Sequence, residues 1–359
     1  MIIQEQDKIY LFLSCVEVTY KRALSILDKY TDITTLFKDI ESRDSHTKQL
    51  FGTFFDRACE KQEVFDFEVL ERFFERRQIQ VLTFENINYP EQLRQLEQPP
   101  LVLYAKGDIS LLKTESIAVV GSRSVSFYGK EVTEMFSKEL AAAGFTIISG
   151  LALGVDKIAH ESALSVNGKT IAVLGSGLEY IYPALNHELA NKIAEKGLII
   201  SEFYPSFAPT NYSFPTRNRI IAALSQGVLI TEAGKKSGAL HTRDYALDLG
   251  RDIFVVPGNI TSSKSEGTNN IIKCCQGACV TTPQDILKQY GIDYKAPKKK
   301  KVQITIEEQT ILNHLKDGDK SFDYLQEKTK MSAKNLNYCL TTMEIRGIIK
   351  KLPGNFYSA

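Results

Sequence analysis

The sequence predicts an α/β protein built on a doubly wound parallel sheet, with a helical segment before it and a small helix-and-hairpin segment after it. Three observations carry this. Short apolar runs alternate with helix-period segments between residues 117 and 256, which is the grammar of repeated strand–helix–strand units. Those runs end in small, polar or glycine-bearing turns. The flanks differ in texture, with helix-period apolar residues over 1–77 and a lysine-rich break near residue 300 before a new pattern begins.

At 359 residues the chain is long enough for two or three domains. Its 43% hydrophobic and 24% charged residues are ordinary for a globular protein. The formal net charge is only +1, so a nucleic-acid surface has to be a local patch. No run reaches the ~18 apolar residues of a membrane span. Glu5 and Asp7 precede the short apolar run Ile9 to Cys15, where a signal peptide would carry basic residues. The expected location is cytoplasmic, with no membrane partner. The six cysteines (Cys15, Cys59, Cys274, Cys275, Cys279, Cys339) include no Cys-x-x-Cys, and no histidine lies near the 274–279 cluster. They read as reduced thiols packed as small hydrophobes, and no metal or cofactor is expected.

Residues 1–77 read as a helical domain. Leu11, Val18, Leu24 and Leu27 recur at helical spacing, as do Phe51, Phe54, Phe55 and Ala58, then Val64 to Phe74. Ser45 and Thr47 are candidate caps. Residues 78–290 form the central domain. Gln80 to Phe84 and Leu101-Val-Leu-Tyr104, the latter ending at Gly107, read as strands around a short helix that starts at Asn88-Tyr-Pro90 and stops at Pro99-Pro100. Further strands are expected at 117–120, 146–149, 170–174, 198–201, 228–231 and 253–256. The intervening helices are expected at 130–143, 155–165, 186–195, 217–225 and 239–249. Ligands of such sheets bind outside the carboxyl ends of the strands, at the switch point.

Residues 291–303 read as a solvated linker, because Lys298 to Lys301 repel one another. Residues 304–359 read as three helices and a hairpin. Helix one covers about 305–316, helix two follows Ser321, and helix three follows Ser332 with Leu336, Leu340 and Met343 on one face. Ile348 to Leu352, the turn Pro353-Gly-Asn355 and Phe356-Tyr357 complete the order of a winged helix. The third helix offers only Lys334 and Arg346 as cations, so protein docking is the favoured role over DNA reading.

Candidate binding residues sit at the strand ends. Ile117 to Val120 runs into Gly121, Ser122 and Arg123 and then a helix, a turn that collects backbone N–H groups for a phosphate. Arg123 adds a permanent forked donor. Phe214-Pro-Thr-Arg-Asn-Arg219 supplies a stacking ring, two arginines and an amide. Arg217 and Arg219 either aim at or flank an anionic ligand, with Asn218 and Phe214 reading a base or sugar, or else pair with carboxylates while Phe214 joins the core. A second basic loop, Lys235-Lys-Ser-Gly238, leads into another helix; its Lys236, Ser237 and Gly238 lack the spacing of a Walker A element. Gly175-Ser-Gly177 is only part of a dinucleotide fingerprint, since Tyr180 fills the third glycine position. The acids Asp156, Glu161, Glu179, Glu202 and Glu232 are scattered, and His160, His187 and His241 fall in helices, so no catalytic set emerges.

The run from Tyr89-Pro90 to Gly277-Ala278 resembles the DNA-processing protein A (DprA/Smf) family. The matching motifs include Pro99-Pro-Leu-Val-Leu-Tyr-Ala-Lys-Gly107, Val120-Gly-Ser-Arg123, Ser149-Gly-Leu-Ala-Leu-Gly-Val-Asp156 with Ala159-His160, and Ile171-Ala-Val-Leu-Gly-Ser-Gly-Leu178. They continue through Phe214-Pro-Thr-Arg-Asn-Arg-Ile-Ile-Ala222, Thr231-Glu-Ala233, Ser237-Gly238 and Gly250-Arg-Asp-Ile-Phe-Val-Val-Pro-Gly258. The resemblance implies an extended Rossmann-like domain between a helical SAM/helix-hairpin-helix-like domain and a winged helix. It implies a non-catalytic protein that binds single-stranded DNA, loads the RecA recombinase onto incoming strands during natural transformation, and works as a dimer. By position it places Arg123, Phe214, Arg217, Asn218, Arg219, Lys236 and Ser237-Gly238 in the DNA pocket. Leu153 stands where the family often has Arg, and Ala239 and His241 replace the usual Ser and Ile. The competing expectation is a nucleotide-binding Rossmann-like enzyme of the phosphoribohydrolase type. Its Pro-Gly-Gly-x-Gly-Thr loop is poorly matched by Ala233-Gly-Lys-Lys-Ser-Gly238.

Overall fold

A computed structural model describes residues 3–294 and 304–358; the Lys298 to Lys301 linker lies outside the described residues. The chain divides into two compact units, Met1–Lys295 and Ala296–Ala359.

The first unit opens with six helices: α1 (Glu5–Val16), α2 (Tyr20–Lys29), α3 (Ile33–Glu41), α4 (Ser45–Phe51), α5 (Phe55–Val64) and α6 (Phe67–Arg77). Aspartates cap three of them: Asp32, Asp44 and Asp66 accept the N–H groups of Thr35, Thr47 and Val69. Asp44, one residue earlier than the expected Ser45, therefore holds the start of α4, and Thr47 lies inside the helix. Phe12, Leu13, Ile26, Leu36 and Phe51 form the core of these helices. Tyr10, Leu11 and Phe74 pack instead with Val81, Val102 and Tyr104 of the sheet edge.

The sheet follows as β1 (Gln80–Thr83), α7 (Glu91–Arg94), β2 (Val102–Gly107), β3 (Ser116–Val120), α8 (Phe127–Ala142), β4 (Thr146–Ser149), α9 (Val155–Ser165) and β5 (Thr170–Val173). It continues with α10 (His187–Lys196), β6 (Leu198–Ser201), α11 (Ser213–Leu224), β7 (Gly227–Ile230), α12 (Ala239–Asp248), β8 (Asp252–Val255), α13 (Glu266–Lys273), β9 (Ala278–Cys279) and α14 (Pro283–Gln289). The strand order is β1-β2-β6-β5-β4-β3-β7-β8-β9. From β6 to β9 all pairs are parallel. β2 runs antiparallel to both β1 and β6, so the sheet is mostly parallel with an antiparallel edge.

Every residue of β3 is buried, because helices cover both faces. Ile117 and Val119 meet Phe136, Leu140, Val155 and Ala159 of α8 and α9. Ala118 and Val120 meet Ile220, Ile221 and Ala239 of α11 and α12. The alternation is the period-two rule of a strand buried on both sides. Full burial of such a side chain is worth about 1.5–3 kcal/mol. β3 leads to α8 on one face and its neighbour β7 leads to α12 on the other, so the chain parts at the carboxyl ends of these two strands.

Of the cysteines, Cys15 and Cys339 are buried, but Cys274, Cys275 and Cys279 are exposed. The expectation of packed thiols fails for these three because they lie at the end of α13 and on the two-residue edge strand β9, both of whose residues are exposed.

The second unit contains α15 (Ile306–Leu315), β10 (Lys320–Ser321), α16 (Phe322–Thr329), α17 (Ala333–Ile345), β11 (Lys350–Leu352) and β12 (Phe356–Ser358). Thr305, Ser321 and Ser332 cap its helices. Ile311, Leu325, Leu336, Leu340 and Met343 form its core. β12 pairs antiparallel with β11 and with the two-residue β10, a strand too short to leave a sequence pattern. Arg346 donates to buried Glu308 at 2.6 Å, so one of the two cations read on the third helix is engaged in an ion pair.

Candidate nucleic-acid interface

The rim turns after β3, β4 and β7 are laced together by backbone. Ser122 donates its N–H to the Glu232 carbonyl at 2.8 Å, and Val155 donates to the Ser122 carbonyl at 3.1 Å. A Cβ at Gly121 would stand 2.7 Å from the Glu232 carbonyl oxygen. Gly154 adopts φ +76°, and a Cβ there would meet the Ser122 carbonyl. Only glycine fits either place, for reasons of contact at the first and of contact and left-handed backbone at the second.

The N-terminus of α8 is not open to a ligand phosphate as the strand–turn–helix pattern suggests. Glu232 fills it. Its carboxylate accepts the Ser126 N–H at 2.9 Å and the Ser126 hydroxyl, while Ser126 Oγ caps the Gly129 N–H at 3.0 Å. Glu232 is buried, and a buried carboxylate at a helix N-terminus satisfies the dipole from within. The phosphate-seeking element that remains in the turn is the exposed Arg123 side chain.

Arg123 overhangs a cleft of about 510 Å³ at the switch point. Its guanidinium carbon lies 5.5 Å from the centre of the Phe214 ring, within cation–π range. Phe214 in turn tilts against the exposed Tyr182 at 5.4 Å. The opposite wall is the loop that opens α12, with Lys236, Ser237 and Gly238. Asn218 ties the walls, accepting from Arg217 Nε at 3.1 Å and donating to the Gly238 carbonyl at 3.4 Å.

Arg217 lies beneath the cleft, only 4% exposed. Its Nη1 donates to the Gly150 carbonyl at 2.7 Å and to the Val173 carbonyl. Burial pushes its pKa down to about 10, against the pull of Asp156. Asp156 is itself buried and accepts the N–H groups of Gly150 at 3.1 Å and Ala152 at 3.4 Å. Burial raises its pKa, opposed by Arg217 and those N–H groups. These two residues hold the β4 turn in shape, a task their sequence positions do not reveal.

Gly121, Ser122, Arg123, Phe214, Arg217, Asn218, Lys236, Ser237 and Gly238 thus line one cleft. Arg219 and Lys235 do not. Arg219 pairs with Glu202, which follows β6, and Lys235 is exposed outside the lining. The carboxylate-pairing alternative therefore holds for Arg219. Ala152, Ile221, His241 and Thr242 also line the cleft without having been singled out as binders. Helical spacing could have found Ile221 and His241, since Ile221 follows Phe214 by two turns and His241 follows Ser237 by one; Ala152 lies in the turn after β4, where no such period runs.

The model of a family described as DNA recombination-mediator protein A matches residues 80–291. The chain belongs to that family. Protein Smf of Escherichia coli is 38% identical over 281 residues, covering 75% of this chain and 74% of the relative. DNA processing protein DprA of Bacillus subtilis is 38% identical over 224 residues, covering 61% and 75%. The crystal structure of DNA processing protein A from Streptococcus pneumoniae superposes with a TM-score of 0.67 at 31% identity, over 82% of this chain and all of that one. The structure of DNA processing protein A from Helicobacter pylori, concerned with its single-stranded DNA binding mode, superposes with a TM-score of 0.55 at 38% identity, over 60% and 98%. The family match spans β1 to the end of α14, which includes the whole cleft.

Proposed function

We propose that this recombination-mediator family member binds single-stranded DNA in the switch-point cleft and acts without catalysis. One observation carries the reading: the Arg123 guanidinium lies over the Phe214 ring at the mouth of a cleft whose far wall presents Lys236. A cation beside an aromatic face grips a strand by phosphate and base together and tolerates any sequence. The Helicobacter pylori relative's single-stranded DNA binding mode supports the ligand. Among the described residues the one acid lining the cleft is Asp156, whose Oδ2 accepts two backbone N–H groups of the β4 turn, which supports a binding rather than a catalytic role.

The family likeness supports the finer reading too. The chain loads the RecA recombinase onto incoming strands during natural transformation, as a dimer in the cytoplasm. The SAM/helix-hairpin-helix-like helices before residue 78 and the winged helix after residue 303 serve as docking modules. Among the described residues no helix is long and apolar enough to cross a membrane.

The test is a salt series with single- and double-stranded oligonucleotides. The expected result is preference for the single strand, and for Arg123→Ala a weaker affinity with the salt slope lower by ~0.7. Equal affinity for the two forms, or an unchanged slope, overturns the assignment. Release of free base from nucleoside monophosphates would point to the phosphoribohydrolase-like alternative.

A further inference from the structure

Helix α11 has two walls. Phe214, Arg217, Asn218 and Ile221 face the switch-point cleft. Tyr212, which precedes the helix, and Thr216 and Arg219 on it face a second cleft of about 510 Å³. The steps of four and three residues set these three along one side of the helix. The second cleft lies between the turn joining α1 to α2, the start of α5, and the segment after β6.

Its chemistry differs from that of the first. The charges that line it cancel: Arg57 pairs with Glu17 at 3.0 Å, and Arg219 pairs with Glu202. It has no net charge to attract a phosphate. Its walls are aromatic instead. Phe203 and Phe207 stack at 4.6 Å, Phe207 meets Tyr212 edge-on at 6.4 Å, and Tyr20 and Phe54 stand on the helical side. Within the inner ion pair, Glu202 Oε1 and Arg219 Nη1 are buried and lack a hydrogen-bond partner. Buried orphans of this kind call for a ligand or a trapped water. Here one is an acceptor and the other a donor, contributed by paired residues. A hydrocarbon would leave both unsatisfied; a heterocycle with N–H beside a ring nitrogen or carbonyl satisfies both.

Resting on the single-strand reading of the first cleft, we propose that the second cleft is a base pocket that takes a nucleobase of the same strand as it passes over the start of α11. Tyr212 stands at its mouth, 60% exposed, one turn boundary away from Phe214 in the first cleft. The helix between the clefts is ~10 Å across, so adjacent stretches of one strand reach both.

The experiment uses the full chain, a poly-dT oligonucleotide and the same oligonucleotide with abasic sites. Tyr212→Ala removes a wall, and Val18→Trp fills the cleft from the helical side. Each should weaken binding of intact poly-dT by about 5- to 150-fold with an unchanged salt slope, because a stacked base and no phosphate contact is lost. On the oligonucleotide with abasic sites, both variants should bind as the parent chain does. Arg123→Ala should weaken both oligonucleotides and lower the slope. If Arg123→Ala weakens binding while Tyr212→Ala leaves poly-dT affinity unchanged, the second pocket falls and the first stands. If Arg123→Ala has no effect, the single-strand reading itself falls. Should Val18→Trp melt early, Tyr212→Ala alone decides, since its exposed ring can be lost without disturbing the fold.

Discussion

The Arg217 guanidinium occupies the space that a side chain at Gly150 would need, and it donates to the Gly150 carbonyl at 2.7 Å. One residue is a glycine because the other is an arginine. Sixty-seven positions separate them in the chain.

This pair predicts a stability effect where family position suggests a DNA contact. Arg217→Ala strands the Gly150 and Val173 carbonyls and should cost about 1–3 kcal/mol. Gly150→Ala forces the guanidinium aside and should destabilise similarly. Urea unfolding should show a lower midpoint at constant m for both. An unchanged midpoint combined with lost DNA binding would make Arg217 a direct contact instead.

Glu232 makes a second structural prediction. Glu232→Ala leaves the α8 N-terminus without its internal anion and Ser126 without its partner, a loss of about 1–2 kcal/mol. Glu232→Gln keeps an acceptor for the Ser126 N–H and should lose less. Thermal melts of the two variants side by side read the difference. Equal melting for Gln and Ala would show that the acceptor adds nothing beyond the charge.

Phe214 separates stacking from charge. Phe214→Ala should weaken single-strand binding by about 1–3 kcal/mol and leave the salt slope unchanged. Titration of the oligonucleotide at several salt concentrations checks both at once. A large change in slope would mean that the ring chiefly positions Arg123, whose guanidinium lies over it.

His160 predicts acid sensitivity. It is fully buried, and its Nδ1 sits 2.7 Å from the Thr170 hydroxyl. That hydroxyl donates onward to the Ile147 carbonyl at 2.7 Å, so Nδ1–H is the donor and Nε2 is left bare. Burial, helped by Arg217, pushes the imidazole pKa down to about 3 from an ordinary 6.5. The unfolded chain therefore takes a proton that the folded chain refuses. This stability is complete above pH 6.5 and falls at ~1.4 kcal/mol per pH unit as pH drops toward 3. His160→Leu should remove that component. Between pH 6.5 and 5 the parent chain should lose about 2 kcal/mol more than the variant, read from urea midpoints.

Much of the sheet was legible because strand and helix signals are local. The strands expected at 146–149 and 198–201 are β4 and β6 to the residue, and the others shift by one. The helix expected at 217–225 begins instead at Ser213, because Pro215 lies in its first turn, where a missing N–H does no harm. The direction of β2 was not legible, since a four-residue apolar run carries no sign of which neighbour it will join. Nor were β9 and β10, each two residues long.

The same division runs through the binding site. By itself the sequence determined the glycine turns, the basic loop and the aromatic–arginine segment, because each is a short pattern with a local physical meaning. It also brought Arg217 and Arg219 onto one helix. Only the tertiary structure decided their partners. Residues two apart on a helix point about 200° from each other, so Arg217 turns under the sheet rim to Gly150 and Val173, and Arg219 turns outward to Glu202. Which groups wait on either side depends on β4, β5 and β6, brought there by the sheet order. Arg123 and Lys236 were left facing the open cleft because the backbone and Glu232 had already closed the turns beneath them.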